Sequence, residues 1–132
     1  MIFPATTAFY AALLALVYLG LSGWVMGSRV SGNVLFGDGG DESMLKRVRA
    51  HANFSEYVPL ALILVGLLEA GGGGHFLVQG LLLALLVGRI LHPIGMFAPP
   101  NSPRQFACRG GGILLTMATL AIAAIALLLR TA

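Results

Sequence analysis

Arg49, Asn53 and Glu56 enter a long apolar run together. They lie in Arg49-Ala50-His51-Ala52-Asn53-Phe54-Ser55-Glu56-Tyr57-Val58-Pro59, which continues as Leu60-Ala61-Leu62-Ile63-Leu64-Val65-Gly66-Leu67-Leu68. At about 100° per residue, the three polar residues fall within about 60° of one another on a helix, and Lys46 sits on the edge of the same stripe. Charged groups entering a bilayer are costly and are kept mainly where they face a partner, a cavity or a ligand. Farther along, Arg89, His92 and Met96 share a helical face near the same membrane level, and Arg104 and Arg109 follow at that end of the next segment. The excess of cations points to an anionic ligand. Arginine grips a carboxylate through two parallel hydrogen bonds, and Glu56 can take an amino group. A cationic site of this kind also stabilises a thiolate, which raises the nucleophilic fraction of a thiol.

Plainer roles compete for each residue. Arg49 can snorkel to the headgroups. Glu56 and Arg89 can pair simply to hold two helices together. His51 points roughly opposite Asn53 and Glu56, so a structural contact suits it better than a ligand; His92 fits either role. Tyr57 and Met96 read as packing residues. Cys108 is the only cysteine, which excludes an intrachain disulfide and a Cys-rich zinc cluster and reads as a small apolar residue. The histidines lack paired carboxylates, so no metal is expected.

The elements that must position these groups are membrane helices. Of 132 residues, 58% are hydrophobic and only 10% are charged, whereas a soluble domain carries about a quarter charged. Four segments, about 5–28, 45–70, 75–97 and 106–129, are long enough to span, since each needs roughly 20 residues. They form one domain over residues 1–132, an all-α integral membrane four-helix bundle. The first segment has no Lys or Arg before it and exceeds a typical signal-peptide core, so it reads as a transmembrane helix. Arg29, Lys46, Arg47 and Arg49 flank the first connection and Arg104 and Arg109 the third, while the second has no Lys or Arg. The positive-inside rule then puts connections one and three in the cytoplasm and both termini on the opposite side. The basic residues are scattered without interleaved aromatics, which excludes nucleic acid as a partner.

Local signals refine this frame. Residues 30–43 form a polar, glycine-rich loop. Its Gly37-Asp38-Gly39-Gly40 run lacks the Lys-Ser/Thr ending of a phosphate-binding P-loop. Ser43 or Asp41 is the expected N-cap of the second helix. Gly71-Gly72-Gly73-Gly74 permits a tight reversal, making helices two and three antiparallel neighbours. Pro93 removes a backbone donor and should kink helix three near Arg89. Gly110-Gly111-Gly112 allows close approach of helix four. Phe9, Tyr10 and Trp24 suit interfacial belts.

Gly37-Asp38-Gly39-Gly40, the helix-two motif from Arg49 to Leu60, Gly88-Arg89-Ile90-Leu91-His92, and an arginine near the start of helix four followed by glycines together resemble the MAPEG family. These are the membrane-associated proteins in eicosanoid and glutathione metabolism, and the likeness is to short bacterial members. The resemblance implies a homotrimer in a bacterial inner membrane, with glutathione as co-substrate bound between subunits and open to the cytoplasmic side. It implies that Arg49, Asn53 and Glu56 hold the tripeptide, that Arg89 and His92 contribute from helix three, and that Arg29 reaches a neighbouring subunit's ligand. It implies a thiolate-stabilising catalytic arginine on helix four, Arg104 first and Arg109 second. Ala52 stands where some glutathione-using members have a second arginine, and Met96 where some have a ligand-facing tyrosine.

Three functions follow as expectations. The first is a glutathione-dependent transferase or peroxidase acting on apolar electrophiles or lipid hydroperoxides that arrive from the membrane lipid. The second, suggested by Ala52 and Met96, is a non-catalytic oligomer or lipid-binding scaffold of the same fold. The third is a proton-coupled exporter using Glu56; the cations beside that carboxylate argue against it.

Overall fold

The computed structural model describes residues 2–131. Four helices carry the chain: α1 (Ala5–Gly32), α2 (Glu42–Ala70), α3 (His75–Met96) and α4 (Pro103–Thr131). All four are long and apolar enough to cross a membrane, and no strand occurs among the described residues. Large apolar side chains such as Leu16, Leu19, Leu83, Leu114 and Leu128 are exposed along their lengths. That surface suits lipid as solvent and would be an aggregation hazard in water.

The helix ends differ from the sequence reading. α1 continues four residues past 28, because Asn33 adopts the left-handed conformation (φ 52°) and its N–H closes on Arg29 and Val30 carbonyls. This is the usual way a helix terminus satisfies its last acceptors. α2 starts at Glu42, and the cap is Asp41, whose carboxylate accepts from Ser43 N at 2.9 Å. The first connection is therefore shorter than the 30–43 loop expected. α4 begins at Pro103, earlier than 106, with Ser102 as its cap. Residues Phe106–Gly110 of α4 form a π turn, which a 3.6-residue apolar period does not signal. α3 runs through Pro93 to Met96.

The N-terminus of α1 is closed from a distance. Pro4 offers no side-chain cap. Instead Glu69, at the far end of α2, accepts from Thr6 N at 2.9 Å, Thr7 N at 2.7 Å and Thr7 Oγ1 at 2.7 Å. These are the first-turn donors that a helix leaves unpaired. Nearby, Arg130 at the end of α4 donates to the Gly71 and Gly72 carbonyls of the α2–α3 reversal.

Two apolar clusters fill the interior. Tyr10, Val65, Leu68, Val78, Leu82 and Ala123 lie toward this end of the bundle. Leu14, Leu21, Phe54, Val58, Ala61 and Leu85 lie toward the other. α2 packs on α1, α3 and α4, and α3 packs closely on α4. Glycines set that last contact. A Cβ on Gly112 would meet Gly88 O at 2.7 Å, and one on Gly88 would meet Gly112 O at 2.9 Å. At the opposite end from Glu69, Trp24 stacks on Phe97 at 4.9 Å and the Arg47 guanidinium sits over the Trp24 ring at 5.3 Å. This ties α1, α2 and α3 together just beyond the polar residues.

Candidate functional site

α2 exposes one face along most of its length. Arg49, Glu56, Leu60, Ile63 and Leu67 are exposed on it, with Asn53 half-buried at its side. This is the stripe expected from the sequence, extended by apolar residues at the same helical spacing. The equivalent open face of α3 is apolar throughout: Phe76, Gly80, Leu83, Val87, Ile90 and Ile94. Only the α2 face carries ionisable groups.

Depth sharpens the contrast. α2 has 29 residues and Glu56 is its central one. Measured back from Ala70, a hydrocarbon layer of roughly 30 Å covers about 20 residues at 1.5 Å each and begins near residue 51. Arg49 then lies at the headgroup boundary, Asn53 just inside it and Glu56 about 8 Å into the apolar layer. Among the described residues, the one ion pair is Lys46–Glu42 at 2.8 Å. Neither Glu56 nor Arg49 forms a salt bridge.

Arg89 and His92 lie inside the bundle, not on this open face; they are 2% and 4% exposed. Arg89 Nη1 donates to Asn53 Oδ1 at 2.6 Å, and its Nη2 donates to Gly112 O at 3.1 Å. One guanidinium thus joins α2, α3 and α4, while its Nε has no acceptor. The pairing of Arg89 with Glu56 is replaced by pairing with Asn53. The reason is rotational, because Asn53 and Glu56 lie on opposite sides of the stripe's axis and α3 packs on the Asn53 side. His92 is buried against α4, where Gly112 comes so close that an added Cβ would meet His92 N at 3.1 Å.

Arg104 and Arg109 are exposed on α4. The segment Pro103–Gly110 packs on α3 and not on α2. The π turn holds Arg109 tightly against α3, and Gly95 makes room for its backbone. Arg29 Nη1 donates to Gly37 O at 2.9 Å and Leu35 O at 3.4 Å, which orders its own connecting loop. His51 faces α1, where its Nε2 is 3.0 Å from Ser22 Oγ and its ring stacks on Tyr18 at 4.7 Å. A groove of about 340 Å³ opens between α1 and α2 beside Tyr18, Phe54, Ser55, Val58 and Leu62. It is apolar and lies on the flank of α2 turned away from Asn53. No group of three or more His, Cys, Asp or Glu side chains among the described residues could hold a metal ion.

The sequence reading missed the Gly112 carbonyl, Gly95 and the π turn. The one signal was glycine amid apolar helix, at 88, 95 and 110–112. It marks close approach without naming the partner.

The MAPEG family model matches residues 7–129. The chain is also similar to "Inner membrane protein YecN" of Escherichia coli strain K12, at 32% identity over 120 residues covering 91% of this chain and 88% of the relative. The protein of the same name from Escherichia coli O6:H1 matches at the same identity and coverage. No solved structure matches.

Proposed function

The chain belongs to the MAPEG family, and from that premise we propose that it is a glutathione-dependent transferase or peroxidase of a bacterial inner membrane, acting on apolar electrophiles or lipid hydroperoxides. The observation that carries this reading is the open face of α2, where Arg49, Asn53 and Glu56 enter the apolar layer without an ion pair among the described residues. Glutathione offers a carboxylate for Arg49, an amide or carboxylate for Asn53 and an ammonium for Glu56. Arg49 and Glu56 are seven residues apart, about 10 Å along the helix, and an extended tripeptide spans about the same length. The helix-four arginine, Arg104 or Arg109, comes from an adjacent copy in a homotrimer, since the segment that carries it does not pack on its own α2. The site opens to the cytoplasm, with connections one and three on that side and the termini on the other.

In this mechanism the arginine stabilises the glutathione thiolate, and the thiol proton leaves to cytoplasmic water. The sulfur then attacks an apolar electrophile held in the lipid-facing part of the site. A C–S bond forms and the leaving group departs with the electron pair of the broken bond. With a hydroperoxide the sulfur attacks the distal oxygen, the O–O bond breaks to leave glutathione sulfenic acid, and the departing alkoxide takes a proton from water to become the alcohol. A second glutathione thiol then displaces water from the sulfenic acid to give the disulfide. The enzyme forms no covalent intermediate; its own groups orient the thiolate and exclude water.

Calorimetry of the purified protein in lipid nanodiscs, titrated with glutathione, tests the reading together with turnover of an electrophilic aryl halide and a lipid hydroperoxide. Saturable binding and turnover are expected, both weakened at least tenfold in Glu56→Gln. Absence of binding and turnover would sink it. A second reading, a non-catalytic lipid-binding oligomer, is favoured by Ala52 and Met96, which put no polar group beside Asn53 and His92. Anionic lipid without glutathione in native mass spectrometry would select that reading.

A further inference from the structure

An asparagine amide can turn either its oxygen or its NH₂ edge to most neighbours. A guanidinium has five donors and no acceptor, so it leaves Asn53 no choice. Arg89 Nη1 holds Asn53 Oδ1 at 2.6 Å. Arg89 cannot swing away to release it, because it is 2% exposed and its Nη2 is held by Gly112 O at 3.1 Å. That carbonyl is fixed in turn by the Gly88–Gly112 contact between α3 and α4 and by Thr116 Oγ1, which donates to it at 2.9 Å. The other edge of the amide, Nδ2, has no acceptor among the described residues. It is not sealed in either, since the buried unpartnered side-chain atoms are Arg47 Nε and Arg89 Nε.

We propose that Arg89 is a positioning residue that acts from inside the bundle to make Asn53 an obligate hydrogen-bond donor, so that the α2 stripe accepts only a ligand carrying a carbonyl or carboxylate oxygen at that level. This rests on the proposed function and deepens it. The stripe then reads, from the headgroup side inward, as a cation at Arg49, a donor pair at Asn53 and an anion at Glu56. A ligand complementary to it presents a carboxylate, then an acceptor, then an ammonium. Arg89 touches none of these atoms. It cannot be replaced by lysine, whose single ammonium lacks the planar fork that reaches Asn53 Oδ1 and Gly112 O together.

A simple staple between α2 and α3 makes the opposite prediction for one substitution. In Asn53→Asp the carboxylate pairs with Arg89 at least as well as the amide does, so a staple is kept or strengthened, but the donor edge disappears. The experiment uses the full chain in nanodiscs, titrated with glutathione. Asparagine is ¹⁵N-labelled, and only Asn33, Asn53 and Asn101 contribute side-chain amide signals. In Asn53→Asp the melting temperature should hold or rise while the glutathione Kd rises tenfold or more. In Arg89→Lys the Asn53 amide signal of the unliganded protein should shift and the Kd should rise severalfold. A Kd within twofold of the unmodified protein in Asn53→Asp overturns the inference. So does an Asn53→Asp protein that fails to fold, or an unliganded amide signal unmoved by Arg89→Lys. If the unmodified protein itself ignores glutathione, the proposed function fails, and the unliganded amide signal still reports whether Arg89 holds Asn53.

Discussion

Gly95→Ala should loosen the end of the bundle that carries the candidate arginines. An alanine Cβ at that position would lie 2.6 Å from Arg109 Cα and 2.7 Å from Arg109 Cβ, and closer still to the Arg109 backbone nitrogen. Non-bonded carbons settle at about 3.5–4.0 Å, so the π turn must retreat from α3 by about 1 Å. None of the contacted atoms is the free end of a flexible side chain, so the strain cannot be relieved by a rotamer change. Overpacking of this kind costs about 1–3 kcal/mol, or a melting shift of roughly 4–11 °C for a chain of this size. Gly80→Ala on the same helix is the matched control. A methyl group there would have nothing within 4 Å of it, and alanine is favoured over glycine in a helix by about 1 kcal/mol, so it should be neutral or stabilising. Cys108 is the only thiol and lies in the π turn beside Arg109. A fluorogenic maleimide therefore reports both global melting and local opening at the perturbed turn. Faster labelling of Cys108 and a lower melting temperature are expected for Gly95→Ala and neither for Gly80→Ala. Equal melting and labelling in both variants would refute the close α3–α4 contact at Gly95.

Three further outcomes follow from the same geometry. Glu69→Ala should remove the remote cap of α1 and destabilise by about 1–2 kcal/mol, with faster hydrogen exchange at the Thr6 and Thr7 amides; unchanged exchange there refutes the cap. His51→Ala should lose the Tyr18 stack and the Ser22 hydrogen bond and cost about 1–2 kcal/mol. It should leave the glutathione Kd unchanged, and a large change in Kd would return His51 to the ligand face. Glu56→Gln should weaken glutathione at least tenfold without loss of thermal stability, because its carboxylate has no partner among the described residues; Lys46→Ala, which breaks only an i,i+4 surface pair worth under about 1 kcal/mol, should change neither.

The four spans were legible because roughly 20-residue apolar runs leave little freedom in a membrane, and Gly71–Gly74 announced the α2–α3 reversal. The helix termini were less so. The extension of α1 depends on Asn33 accepting a positive φ, which composition permits without requiring. The π turn was invisible, because inserting one residue into a helix changes which side chains align without changing how apolar they are. At the site, periodicity gathered Arg49, Asn53 and Glu56 on one face and pointed His51 away from it, where the structure finds α1. It could not tell which side of that face α3 would occupy, and that decided whether Arg89 met Glu56 or Asn53. Arg104 and Arg109 were placed at the right end of the bundle, while the packing of their segment on α3 and not on α2 is a matter of helix order that no single helix encodes.

The three residues of the stripe do not bear equally on its purpose. Arg49 lies at the hydrocarbon boundary, and its long side chain can reach the headgroups at little cost. Asn53 has its amide oxygen engaged by Arg89. Glu56 has neither outlet. It is exposed at the centre of α2, about 8 Å inside the apolar layer, and two methylenes are too few to lift its carboxylate out. Even on insertion scales a charged side chain at the centre of a spanning helix costs about 2.5–3.5 kcal/mol, and the cost falls toward the helix ends. The open face of α3 takes the opposite composition, since Leu83, Val87, Ile90 and Ile94 carry no polar atom beyond the backbone. An α2 face that met lipid would gain by the same composition. Its retention of Glu56 is therefore an argument that polar matter covers it, a ligand's cation foremost, and it is on Glu56 more than on either neighbour that the binding reading depends.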